Sequence, residues 1–478
     1  MGDKIVVNGM LWGKLEPLLE PIDYDVFANS LLDALKREKE HFRAETNYAL
    51  SSFAARQAFE FTSPDLNDPL EVKWALLLPP RSSETEAIAA ALSPLVQHRQ
   101  GQVIFSPPIP VSKFPEEWIL GHYSQIDDLE RPYYILLAGN IEEIPFRFQY
   151  LLDVKAAVGR LSFDQDRLED RLKSYAAYAE KVVDFETRPN AFVSRRAVFF
   201  APQHAGDSAT LLSRQYMANV LVAMLREKEI PYSYLSGEDA TLANLETMLI
   251  GDQTSPAPAL VYTASHGLGV QGGEKKEESR RQLQGAIVCQ NYDGQSGVFS
   301  ADNVPEMPFL HGSIMFTFAC YGAGTPKQSD FFHWIRNPRL LDCCPKSDFI
   351  AALPKKLLAH PKGPLAFIGH LDPAWVYSFG DPSCIADDKC WKSRMSPFRQ
   401  AVDQILQGAS AGYAMKRFNE IYAALSVYLA NTEDDFRRNS KLEQESLWTR
   451  KLVETWMTRN DTQNFVVLGD PAAKAKML

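Results

Sequence analysis

Two apolar runs in this chain end in residues whose types suit nucleophilic chemistry. ALVYTASHG sets His266 before Gly267, and IMFTFACYGAG sets Cys320 before Tyr321 and Gly322, 54 positions later. Each is a strand-like run, then a reactive side chain, then a glycine within two positions. A thiolate is a strong nucleophile, but a free cysteine is only a few per cent ionised near neutral pH. An imidazole beside it takes the thiol proton and later hands one to a leaving amine. Glycine after the histidine keeps backbone N–H groups unobstructed, so the amides of Gly267 and Cys320 are candidate oxyanion donors, each worth about 3 kcal/mol in hydrolases. No third member of a triad is required if the strand itself positions the imidazole. The plain alternative is a buried structural cysteine and a capping histidine that share strand ends by accident. A serine hydrolase would show GxSxG after a strand, and the chain has none.

Such a pair is positioned by a parallel sheet, because functional groups gather at the carboxyl ends of strands in open α/β sheets. The sequence supplies the strand and helix rhythm twice. VKWALLLP, QVIFSPP, RPYYILLAGNIEEIP and VKAAVGRLSF alternate with helical stretches and lead into DRLEDRLKSYAAYAEKVVDFE. From about residue 190, SRRAVFFAP, PYSYLS, ALVYTASHG, GAIVCQNY, SIMFTFAC and GPLAFIGHLDPAW repeat the pattern, and NFVVLGDP closes it. The expected fold class is α/β: two tandem α/β units, 71–190 and 191–478, with mainly parallel sheets flanked by helices. Residues 1–70 read as a mostly helical segment, clearest in YDVFANSLLDALKREKEHF.

The two chemistry-bearing blocks resemble the paired signature of caspase-like (clan CD) cysteine peptidases. The second block reads Phe318-Ala319-Cys320-Tyr321-Gly322 and lacks the glutamine of true caspases. YILLAGNIEEIP, KAAVGRLSF and VVLGDPAAK occur in the order expected of the gingipain-like branch, and the likeness spans roughly residues 75–475. CHAT-type bacterial peptidases share the signature. What the resemblance implies is a caspase-like fold in the second unit and a cysteine endopeptidase with His266 and Cys320 as its dyad. It also implies cleavage after one preferred residue held in a pocket, without a cofactor in the chemistry. Calcium or another activator stays open, as does a catalytically weak signalling or interaction module.

An acidic side chain near the mouth would favour Arg or Lys at that preferred position. Asp372 in GHLDPAW is the first candidate, with Trp375 as a pocket wall and Asp330 in TPKQSDFF as the competitor. Each of these also has an ordinary reading, as a capping carboxylate or a core aromatic. GVQGGEKKEESRRQLQ follows His266 closely and reads as a solvated mobile loop, or as a regulatory flap or self-cleavage segment with Arg280-Arg281 or Lys275-Lys276 as cut points. His370 reads as structural or pocket-lining, His311 precedes its strand, and His204 and His333 carry no supporting pattern. Asp302 and Asp470 read as helix or turn caps.

Composition narrows the setting. With 60 acidic against 50 basic residues the net charge is −10, which argues against nucleic acid or an anionic membrane as partner. Six cysteines in 478 residues form neither a secreted disulfide framework nor a CxxC metal motif, so no metal is expected. No run reaches the ~18 apolar residues of a membrane span, and the N-terminus lacks the pattern of a signal peptide. The expectation is a cytoplasmic protein acting on a protein or peptide substrate, with a regulatory protein as a further partner.

Overall fold

The computed structural model describes residues 4–37, 65–106, 115–127, 130–251, 255–331, 337–380, 393–439 and 446–478. His333 and the end of the N-terminal helical stretch beyond Arg37 lie outside them. In chain order the strands used below are β1 Gly9–Leu11, β2 Trp74–Leu78, β3 Gln102–Phe105, β4 Tyr134–Ala138 and β5 Ala157–Leu161. There follow β6 Ser194–Ala201, β7 Tyr232–Ser236, β8 Pro258–Ala264, β9 Gly267–Gly269 and β10 Ile287–Val288. The last four are β11 Val298–Phe299, β12 Ile314–Phe318, β13 Ala366–His370 and β14 Phe465–Gly469.

Ten of these strands form one mostly parallel sheet in the order β3-β2-β4-β5-β14-β13-β12-β8-β6-β7. The fold is thus mixed α/β, with both sequence units contributing to a single sheet. The five strands on the β3 side run one way and the five on the β7 side run the other. The reversal falls between β14 and β13, which pair antiparallel, while β14 runs parallel to β5. WALLL, YILLA, IMFTF and FVVLG are buried at every position. That is why they read as continuous apolar runs: helices cover both faces of a parallel sheet.

Two loop-end motifs of the sequence have structural explanations. A Cβ at Gly159 would lie 2.1 Å from the Gly469 carbonyl, so β5 and β14 touch only because a glycine stands there. Next to it, the guanidinium of Arg160 is buried and donates to Gln149, Ile144 and Pro145, fastening the turn after β4. Asp470 does cap a turn, accepting from Ala472 N, and it is also fully buried against Trp74 Nε1 and Arg99.

Two stretches differ from their sequence reading. GAIVC does not join the main sheet: β10 belongs to a four-stranded side sheet, β11-β10-β9-β1. Residues 4–23 contain three short strands and no helix, and the helix begins only at Tyr24. The β-branched run Ile5-Val6-Val7, followed by Gly9 and closed by Pro17, favours extended chain. No helix among the described residues is long and apolar enough to cross a membrane.

Candidate active site

The register of the parallel strands brings the two sequence blocks to one level. Ala264 pairs with Phe318 across β8 and β12, so His266 and Cys320 lie two residues beyond a matched pair. Ser265 N continues the ladder to Phe318 O at 3.1 Å. The strand ends touch: a Cβ at Gly267 would lie 1.8 Å from the Cys320 carbonyl oxygen. Glycine at 267 is therefore a packing requirement as well as a way of baring the amide. After Cys320 the chain turns sharply through Tyr321 in the left-handed region, φ 60°. That conformation is uncommon for a residue with a side chain and is held here by Gly322 N donating to Ala319 O.

Both candidate oxyanion donors point at the same atom. Gly267 N and Cys320 N donate to the carbonyl oxygen of Asn8, at 3.1 and 3.2 Å. The Cys320 sulfur accepts from Ala374 N at 3.1 Å. Cys320 and His266 are both fully buried, and burial raises the thiol well above its ordinary pKa.

A carboxylate that the sequence did not announce stands behind His266. Asp207, from the loop that follows β6, accepts from His266 Nε2 at 2.8 Å. Burial opposes its ionisation, but the charge of His266 and hydrogen bonds from His266 and Thr210 outweigh this, holding the carboxyl well below its usual range. Because that carboxylate accepts, Nε2 carries the hydrogen, and in the neutral ring Nδ1, buried without a protein partner, is the nitrogen with the lone pair. His204 stacks on His266 with ring centroids 5.6 Å apart, and burial lowers its pKa. Strand spacing alone gave no signal for either residue, since both reach the site from a loop one strand away. His204, Asp207 and His266 also place one ligand atom each within 4.8 Å of one another, a donor set suited to a divalent ion such as zinc.

Asp372 lies two residues beyond β13, level with Cys320 in the register of β12 and β13. Its Oδ2 accepts from Ser329 Oγ at 2.9 Å and Asp330 N at 2.7 Å. Burial, reinforced by the neighbouring Asp330, raises its pKa well above the usual range. Asp330 is half-buried and accepts from Gln463 Nε2 at 2.6 Å. Trp375 is fully buried, its ring 5.2 Å from that of Phe331, and its backbone N–H donates to Asp461 Oδ1 at 3.2 Å. His370 is structural: it bonds to the carbonyls of Asp372 and Asp461 and to the Asp461 carboxylate, bracing the loop that carries Trp375.

The segment after His266 is ordered. Gly273–Lys276 forms a short turn and Glu277–Leu283 a helix. Arg280 is buried, donating to Glu277, Gly273 O and Asp342 O, while Arg281 reaches Ser347. Cleavage between Arg280 and Arg281 would require this helix to unfold. A cavity of about 300 Å³ lies beside Arg281, among Glu84, Arg171, Tyr175 and Asp348, and includes neither His266 nor Cys320.

Set beside known proteins, the sequence matches no family model and no curated protein. Its fold aligns with the Arg-specific cysteine proteinase gingipain R at 13% identity and a TM-score of 0.47, covering 85% of this chain and 79% of that one. A structure described only as a protease gives 9% identity and the same TM-score, over 84% and 78% of the two chains. The complex of the Porphyromonas gingivalis RgpB pro- and mature domains gives 11% and 0.42, over 85% and 80%. Likeness this distant carries no functional conclusion, which has to come from the site.

Proposed function

We propose that this chain is a cysteine endopeptidase in which Cys320 is the nucleophile, the amides of Gly267 and Cys320 receive the oxyanion, and His266 moves the protons. The observation that carries this reading is the convergence of two backbone N–H groups on one carbonyl oxygen beside a thiol. Acyl transfer asks for that geometry, and a structural cysteine does not. The thiol starts neutral, so imidazole Nδ1 takes its proton as sulfur bonds to the carbonyl carbon. The tetrahedral oxyanion collapses, the carbon–nitrogen bond breaks, and the same nitrogen protonates the departing amine. Water then hydrolyses the thioester. Asp207 acts as a positioning residue, fixing the tautomer and steadying the imidazolium.

Selectivity for Arg or Lys would have to draw on Asp330, because burial, with Asp330 beside it, pushes the Asp372 carboxyl well above the usual carboxylate range and disfavours its charged form. A second reading, a weakly catalytic interaction module, is favoured by the sealing of Cys320 and His266 from solvent. A fluorogenic peptide panel varied only at P1, run on the native chain and on Cys320→Ala, separates the two. Turnover lost in the variant supports the peptidase. Equal signals from both proteins remove the thiol from the chemistry.

A further inference from the structure

The carbonyl seated between the two amides belongs to the chain itself, and the residues around it run through the cleft as a bound peptide would. On the amino side, Val6 O accepts from Val376 N at 3.1 Å and Asn8 N donates to Ala374 O at 2.8 Å. Val7 forms an antiparallel bridge with Trp375 between them. An extended peptide adding a strand to a waiting edge makes this pattern. Beyond Asn8 the chain crosses to the other wall, where β1 pairs parallel with β9 in the register Gly9 to Gly267. Gly9 lies over the nucleophile: a Cβ placed on it would be 2.9 Å from Cys320 Sγ and 2.8 Å from the Leu18 side chain.

Resting on the peptidase reading above, we propose that Val6–Gly9 is a substrate held in cis, with Asn8–Gly9 as the bond presented to Cys320. The full chain is then a self-blocked form, and the enzyme cleaves after an uncharged side chain. Asn8 stands where the residue preceding a scissile bond stands, with its carbonyl in the oxyanion position. Its side chain is completely buried and uncharged, and neither its Oδ1 nor its Nδ2 has a protein partner. A cation in the same place would be completely buried where even the Asn8 amide finds no protein partner, and an unpaired buried charge costs far more than a neutral amide. Since the Asn8 amide loses hydration without regaining bonds, the segment is held by its backbone, and competing peptides can displace it.

In the cleavage step the Cys320 sulfur bonds to the Asn8 carbonyl carbon and the Asn8–Gly9 bond breaks. The Gly9 nitrogen takes the proton that His266 received from the thiol. Water then releases Asn8 as a carboxylate and restores the thiol.

Three measurements on the full-length protein test this. Intact-mass analysis over time should show loss of the residues through Asn8 and a new N-terminus at Gly9, absent in Cys320→Ala. Fluorogenic peptides ending Ile-Val-Val-Xaa should turn over about tenfold or more faster with Asn than with Arg or Lys at Xaa. Iodoacetamide should alkylate Cys320 about tenfold or more faster in Gly9→Val, whose side chain expels the segment, than in the native chain. Asn8→Pro, which removes the donor to Ala374 O without placing bulk over the sulfur, should shift that rate the same way if Gly9→Val does not fold. Cys320-dependent turnover that prefers Arg or Lys overturns the inference alone. So does alkylation indifferent to both variants, or a native chain that stays intact while cutting added peptides. No Cys320-dependent turnover in any variant overturns the peptidase reading as well.

Discussion

The Asp207 carboxylate accepts from His266 Nε2 and also from Ala209 N and Thr210 N of the short helix it caps. Asp207→Asn keeps an oxygen for the cap while removing the charge that fixes the imidazole, so the change separates chemistry from stability. Peptide turnover should fall on the order of 10²-fold in kcat, with KM little moved. Asparagine is as good a cap as aspartate, so any fall in the unfolding free energy read from urea titration comes from the lost carboxylate charge and not from the cap. A loss of stability with kcat unchanged would mean that the pair is architectural. Metal chemistry has a separate test here, because an ion bound to His266, Asp207 and His204 would take the imidazole away from its carboxylate and out of proton transfer. EDTA should leave turnover unchanged, and added zinc should inhibit the native enzyme more strongly than His204→Ala. Loss of activity on chelation would instead assign the His204, Asp207 and His266 cluster a resident ion. His266, Gly267 and Cys320 were legible in the sequence because strand ends are written locally, as an apolar run closed by a glycine. Asp207 was not, because its place depends on which strand becomes the neighbour of β8.

At the level of elements, the helix Leu168–Thr187 is pinned across the sheet by a buried ionic chain. Arg99 bonds Glu186 at 2.7 Å through both terminal nitrogens and meets Asp470 on its other side. Burial opposes the charge on Glu186, but the charge of Arg99 and bonds from His98 and Arg99 win and hold its carboxyl down to about 2. A carboxyl lowered on folding stabilises above its unfolded pKa, and that contribution is lost as pH falls through the folded value. Here the full effect, about 3 kcal/mol, is present above roughly pH 5, and about half of it remains at pH 3. Glu186→Gln should therefore lower the unfolding free energy by about 2–3 kcal/mol at pH 7 and by clearly less at pH 3, read from urea titrations at the two values. An equal loss at both would place the effect in packing rather than charge. Strands and long helices were readable from periodicity, which is a local property. The short helix Glu277–Leu283 was not, because its polar sequence hides that Arg280 points inward. Residues 4–23 were not readable either, because what orders them is the distant pair of strand ends they lie against.

For the whole molecule, the decisive strand is the last one. β14 lies between β5 of the first sequence unit and β13 of the second, so each half-sheet has an open edge until the C-terminal residues arrive. The same tail is stitched to both sides: Trp74 Nε1 of the first unit donates to Asp470, and Val193 N of the second donates to Lys476 O. Neither unit completes its sheet alone, and an unpaired central edge made of fully buried apolar strands is a template for aggregation. The full chain should therefore unfold in one transition, with far-UV circular dichroism and tryptophan fluorescence giving coincident urea curves. A chain ended at residue 463 should be recovered as aggregate, although it retains His266, Cys320 and every strand but one. Two resolved transitions, or a soluble truncated chain with native circular dichroism, would show that the units at 71–190 and 191–478 fold independently. The sheet would then be an interface between two domains rather than a single core.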